Sequence, residues 1–331
     1  MHTLTPLLRT SPALWRWVSL AVLAMPLLIF AAYAARELLT AQDKALHAEL
    51  NRAALDTANA INLRLESSMG HLTGLATSEA ALRNDIPALY AHAQRVMQAI
   101  PEATAISLVG AGNELIFLTL KPLGTTGLAV GDPEAVKQVF LTGKPAVSGA
   151  FKSPIADRMV TSLGVPIFHE GKVIYCLRLI LRTSALNDML HAQKLPADWT
   201  LAIFKNDGSF VARSRNPETY IGKQTTVAVQ EVLRTRNHLP LELPTVDGIA
   251  HKGIFLSLPG WDWSVGVGAP VAFFHHQRSQ MLQWLGLLGL ALLALGALVV
   301  AAVSPLLGQA PPSTTQTRAT LRTGNWLSVF A

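Results

Sequence analysis

Thr200–Arg213 reads TLAIFKNDGSFVAR. Two short runs of apolar and β-branched residues flank Asn206-Asp207-Gly208-Ser209, and an Asp-Gly pair between such runs is a strong β-hairpin signal. Upstream, Ala103–Leu120 reads ATAISLVGAGNELIFLTL and has the same form, with Gly110-Ala111-Gly112-Asn113 at the turn. The pattern predicts strands over Ala103–Val109 and Glu114–Leu120, then a helix over Pro133–Leu141 with Asp132 as N-cap. Three strands follow: Ala146–Ser148, Met159–Phe168 and Lys172–Leu181.

The second hairpin is followed by the same succession. Ser184–Gln193 reads as a helix before it, and Thr226–Arg236 as a helix after it. Leu239–Leu243, Ile249–Leu256 and Trp263–Val267 read as strands, with Pro259-Gly260 turning into the last. Two hairpin–helix–three-strand units therefore recur at a spacing of about 100 residues. Each unit implies one antiparallel sheet with helices on a face, an α+β architecture.

Between Arg36 and Leu75 the period changes. Leu46, Leu50, Ala54, Ala58, Ile61, Leu65, Met69 and Leu72 recur at steps of three and four, which predicts one long helix. A shorter helix, Ile86–Ile100, follows. The long helix is expected to act as a stalk and to supply a homodimer face through residues 36–70.

Two apolar runs bracket all of this. Trp17–Ala35 is WVSLAVLAMPLLIFAAYAA and Leu282–Val303 is LQWLGLLGLALLALGALVVAAV, both uncharged. Each is long enough as a helix to cross a hydrocarbon core of about 30 Å. All 21 acids, and all but four of the 27 Lys and Arg, lie between the runs, so the enclosed region is nearly neutral although the chain carries +6. The four exceptions, Arg9, Arg16, Arg318 and Arg322, sit in acid-free tails. Positive tails place both ends in the cytoplasm and residues 36–278 on the far side of a bacterial inner membrane. Ala32-Tyr33-Ala34 also has the form of a leader cleavage site, the rival reading of the first run. The implied layout is a cytoplasmic tail (1–16), a span (17–35), stalk and second helix (36–100), a membrane-distal module (101–182), a membrane-proximal module (183–275), a second span (282–303) and a disordered cytoplasmic tail (304–331).

The chemistry is sparse. There is no GxSxG, HExxH or CxxC, and the single Cys176 can form no internal disulfide. Thr142-Gly143-Lys144 lacks the upstream glycine of a phosphate loop and reads as a helix C-cap. No enzyme, metal, cofactor or nucleic-acid partner is expected. His275-His276 reads as a juxtamembrane pair and His169-Glu170 as a solvated turn. Trp261 and Trp263 read as core residues at a strand start, and Arg213-Ser214-Arg215 as a polar loop.

Five stretches in this order resemble the double-Cache family, extracytoplasmic sensor domains made of two PAS-like modules on a long N-terminal helix. They are ATAISLVGAGNELIFLTLKPLG, GDPEAVKQVFLTGKPAVSGAF, MVTSLGVPIFHEGKVIYCLRLIL, AIFKNDGSFVARSRNPETYIGK and PGWDWSVGVGAP. The resemblance spans residues 36–275 and implies the input region of a transmembrane histidine kinase, diguanylate cyclase or chemoreceptor. Family members continue past the second span into an output domain. Here SPLLGQAPPSTTQTRATLRTGNWLSVFA follows instead, which suggests a truncated relative, or an envelope binding or assembly protein without signalling output. The family's Tyr–Arg–Trp-Tyr amino-acid-binding series is not found.

A ligand site between the distal sheet and its covering loops is the expected seat of function. Arg158 and Lys121 are the candidates to hold a carboxylate, with Thr119, Thr161 and Ser162 as neighbouring polar groups. Thr161 and Ser162 point to opposite faces of their strand, so at most one of them serves the pocket.

Overall fold

The structure, a computed structural model, describes residues 12–307. It divides into two compact units, Thr40–Arg278 and the two terminal segments Met1–Leu39 with Ser279–Ala331. The element order is α1 (Pro12–Ala76), α2 (Glu79–Leu82), α3 (Ile86–Gln98), β1 (Ala103–Gly110), β2 (Leu115–Leu118), α4 (Pro133–Thr142), β3 (Ala146–Val147), β4 (Phe151–Lys152), β5 (Met159–His169), β6 (Lys172–Arg182) and α5 (Thr183–His191). The second module contributes β7 (Thr200–Lys205), β8 (Phe210–Arg213), α6 (Pro217–Tyr220), α7 (Val227–Thr235), β9 (Leu241–Pro244), β10 (Ala250–Ser257) and β11 (Trp263–Pro270), and α8 (Val271–Leu307) follows.

The repeat is real and holds at the level of strand order. The distal sheet runs β2-β1-β6-β5-β3, with β4 added against β5, and the proximal sheet runs β8-β7-β11-β10-β9. In both, the hairpin lies at one side and the last strand of the unit inserts beside the first. Every pairing is antiparallel.

The strands are buried on both faces, which is why they read as nearly continuous apolar runs. In β6, Leu177, Leu179 and Leu181 join Ile106, Leu108, Leu163 and Val165 in the main core, while Cys176 packs with Val109, Val136 and Val139 under α4. The proximal sheet alternates in the same way. Leu201, Ile203, Val265 and Val267 face the main core, and Ala202, Phe204, Phe210 and Val229 form a separate cluster. Buried Cys176 is pushed up to about 12 by desolvation, so its thiol stays protonated.

The helical stripe on α1 is part of this core. Leu50 and Ile61 are 0% and 1% exposed and pack with the sheets of their own chain. Arg64 forms an ion pair with the buried carboxylate of Glu102 just before β1. Leu50 and Ile61 are therefore spent on intramolecular packing, and within residues 36–70 the exposed side carries Leu55 and Leu63.

Smaller departures have local causes. β2 ends at Leu118 because Thr119 Oγ1 takes the Ile106 N–H that a further ladder bond would use. Two-residue β4 and the four-residue helices α2 and α6 are too short to leave a periodic trace. The Gly143 turn is as expected, with φ 62° and its N–H donating to the Val139 carbonyl. α1 runs through the expected boundary at residue 35 without a break, and α8 continues to Leu307. Among the described residues no helix is long and apolar enough to cross a membrane. Of the expected tails 1–16 and 304–331, residues 12–16 and 304–307 belong to α1 and α8, and residues 1–11 and 308–331, with the side chains of His275-His276, lie outside the described residues.

Leu50→Lys or Ile61→Lys should each cost on the order of 3 kcal/mol or more of folding stability, because an unpaired charge is buried. Leu63→Lys, on the exposed side, should stay within about 0.5 kcal/mol. Urea unfolding of the three variants checks this. Cys176 should resist iodoacetamide at pH 8 in the native protein and react promptly in guanidinium.

Candidate functional site

The outer face of the distal sheet is not completely filled. On β6 the inward leucines leave Cys176, Arg178 and Ile180 pointing to this face, by the two-residue period. Ser107 of β1 stands directly opposite Arg178, and Gly164 of β5 stands on its other flank. A Cβ at Gly164 would come within 3.1 Å of Cys176 Sγ and 3.3 Å of Val139, so glycine lets the arginine stem lie against the sheet. Loop residues Ala129–Gly131 and the segment Phe151–Ile155 close over the top. The cavity between them measures about 20 Å³, room for about one water.

Arg178 is the chemical centre of this cavity. It is 2% exposed, donates through Nη2 to Ser162 Oγ at 2.8 Å, and lies 5.8 Å above the Phe151 ring. Among the described residues no carboxylate forms an ion pair with it. Burial depresses its basicity, and the more distant Asp132 only partly restores it. Thr104 Oγ1 and Ser107 Oγ, both at the cavity, are buried without a hydrogen-bond partner among the described residues. A planar fork of donors with two idle hydroxyls beside it is matched to a small anion with further polar groups.

None of the residues expected from the sequence lines this cavity. Arg158 is exposed and turns its Nε to the Ala156 carbonyl. Lys121 is also exposed, and its carbonyl accepts from the Tyr90 hydroxyl. Lys121 lies beyond the end of β2 and Arg158 just ahead of β5, so both stand outside the strands. Thr119 is buried, but accepts from Ile106 N–H and donates to Met97 Sδ at 3.2 Å. Thr161 bonds to Ser148 through its hydroxyl. Ser162 alone belongs to the site, holding Arg178 in place. The missed residue carried a signal: Arg178 is a lone cation in the middle of the apolar strand VIYCLRLIL.

Ser148 links this site to the second module. Its Oγ accepts from the Ser162 N–H at 2.8 Å, and its carbonyl accepts from Trp263 Nε1 at 3.0 Å. Trp263 is fully buried at the start of β11. Trp261 donates from Nε1 to Asn62 Oδ1 on α1 at 2.9 Å. Both tryptophans are therefore structural ties. The expected polar loop Arg213-Ser214-Arg215 is corrected at its first residue. Arg213 is 1% exposed, ion-paired with Asp247 and stacked 4.6 Å from the Tyr220 ring. No group of His, Cys, Asp or Glu able to hold a metal occurs among the described residues.

Solved structures carry the same fold. The extracellular domain of rpHK1S-Z16, assigned as a histidine kinase, superposes with a TM-score of 0.59 at 13% identity, covering 70% of this chain and 95% of that one. The ligand-binding domain of the Pseudomonas fluorescens chemoreceptor CtaA, in complex with L-serine, gives 0.56 at 15% identity over 70% and 99%. The sensory domain of the Campylobacter jejuni chemoreceptor Tlp3, with isoleucine bound, gives 0.52 at 10% identity over 72% and 97%. The chain thus has the double-module fold of Cache-type sensory ligand-binding domains. No family model and no curated protein matches the sequence.

Removing idle hydroxyls should cost nothing. Ser107→Ala and Thr104→Val are expected to leave the stability of the empty protein unchanged or raise it by up to about 1 kcal/mol. Ser162→Ala, which strips Arg178 of its acceptor, should destabilise by about 1.5–3 kcal/mol. Urea midpoints at constant slope separate the two cases.

Proposed function

We propose that the chain is the input region of a membrane-anchored sensor, and that its distal module binds a small carboxylate through Arg178. The observation that carries this reading is a buried guanidinium with no ion-pair partner among the described residues, at a cavity edged by hydroxyls that are unsatisfied among those residues. A protein that keeps such a charge uncompensated spends stability on it. A ligand carboxylate would supply the missing counter-charge, and the hydroxyls at 104 and 107 would take its further polar groups. The related folds support the class of ligand, since the complexes of CtaA and Tlp3 hold L-serine and isoleucine, both carboxylates. Entry requires the covering segments to move, because the present cavity admits about one water.

In this reading the uncharged runs 17–35 and 282–303 are the anchors, and residues 36–278 stand on the outer side of the inner membrane. A homodimer through α1 would use the side bearing Leu55 and Leu63. Transmission has a physical path: Arg178 holds Ser162, Ser162 is tied to Ser148, and Ser148 holds Trp263. Trp263 opens β11, and β11 passes into α8 without an intervening loop. A ligand acts through this path only to the extent that it binds one arrangement better than the other.

The full chain should melt higher with its cognate member of a panel of amino acids and short organic acids. At 100 times the dissociation constant the gain is about 2.7 kcal/mol. Arg178→Met should abolish that response and, by removing an unpaired buried charge, raise the melting temperature of the empty protein. Arg158→Met should keep the response. No stabilisation by any carboxylate, or an intact response in Arg178→Met, would overturn the assignment. Independently, a phosphatase fusion at residue 150 should be active and a fluorescent-protein fusion dark; the reverse pattern would end the anchored reading.

A further inference from the structure

The proximal sheet has a second cavity in the same topological place as the first. It lies on the outer face, away from α1, and is about 60 Å³ in volume. Its floor is Ala202 and Phe204 of β7, Gly266 and Gly268 of β11, and Gly253 and Phe255 of β10. Val229 of α7 and Val246 cover it. Ala202 stands opposite Gly266 where the distal sheet has Ser107 opposite Arg178. At the equivalent point the proximal sheet therefore has a glycine where the distal sheet has a cation.

The chemistry of this second cavity is electrically neutral. Arg213 lines it, but its Nη2 is engaged by Asp247, its Nη1 donates to the Arg215 carbonyl, and its guanidinium lies over the rings of Phe210 and Tyr220. His251 is 3% exposed, and its Nδ1 is 3.1 Å from the Ile249 carbonyl. A carbonyl only accepts, so Nδ1 carries the proton and Nε2 presents a lone pair. Among the described residues the hydrogen-bond partner of Nε2 is the Thr200 hydroxyl at 3.5 Å, the outer limit of a hydrogen bond. Burial, with Arg215 and Arg213 nearby, also holds the ring below its usual basicity, in keeping with a neutral imidazole. The opposite wall is aromatic: Phe204 lies 4.8 Å from Phe210 and 6.0 Å from Phe255 between ring centroids. Gly266 is what admits those rings, since a Cβ there would sit 2.9 Å from both Phe204 and Phe255.

We propose that the proximal module holds a second binding site, for a compact uncharged molecule that offers one hydrogen-bond donor to His251 Nε2 and an apolar body to the phenylalanine wall. The volume is that of about two waters, which restricts the occupant to a few heavy atoms. A charged occupant is disfavoured, because Arg213 is already neutralised and nothing else in the wall can compensate a charge. This site is independent of the distal carboxylate and of its arginine.

The test uses the full chain and propan-1-ol as probe, followed by ligand-detected NMR, with propionate and propylammonium as charged isosteres. Saturable binding of the alcohol is expected, with the charged isosteres at least tenfold weaker. His251→Leu should raise the dissociation constant at least fivefold, and Ala202→Val, which fills the cavity, should abolish binding. Val is a small change in an apolar cluster, so Ala202→Val keeps the test valid should His251→Leu fail to fold. Arg178→Met should bind the alcohol as the unaltered protein does. Equal binding of the isosteres, unchanged affinity in Ala202→Val, or loss of binding in Arg178→Met would each overturn the proposal. The last outcome would move the alcohol to the distal cavity and leave the carboxylate reading to its own assay.

Discussion

Each sheet in this protein must be covered on both faces, and that constraint organises the rest. The inner faces solve it together: leucines and valines of both sheets share one apolar core with the buried stripe of α1. The outer faces are covered separately, by one short helix and irregular segments, which interdigitate less completely than helix against sheet. Small cavities remain there, at equivalent points in the two modules. The candidate sites are thus a by-product of the same alternation that builds the core.

Much of the fold was legible because its signals are local. The Asp-Gly hairpin at 207–208, the N-cap at Asp132 and the left-handed Gly143 are set by a few adjacent residues, and they hold in the structure. The repeat was legible because the order of hairpin, helix and strands recurs. What could not be read was which face of an element meets which neighbour. The α1 stripe has the same spacing whether it meets a second copy or its own sheets, and Leu50 and Ile61 belong to the latter.

The site was less legible for a related reason. Arg158 and Lys121 have the charge to hold a carboxylate, yet both stand at exposed positions just outside strands. Arg178 and Arg213 are the informative arginines, and both lie inside or at the end of strands that otherwise read as apolar. Their fates differ through one partner. Arg213 meets Asp247 from a distant turn, a pairing that no local spacing announces, whereas Arg178 donates to a serine and has no ion-pair partner among the described residues.

The empty place beside Arg178 has an energetic meaning. Folding has already dehydrated the guanidinium and locked its torsions between Gly164, Ser162 and Phe151. Under the proposed carboxylate reading, an anion would meet a fork that is rigid before contact, and would have mainly its own hydration shell to lose. Such preorganisation would trade resting stability for a steep return on occupancy, so that on the proposed reading even a molecule of a few heavy atoms would suffice to favour one arrangement of the chain over another.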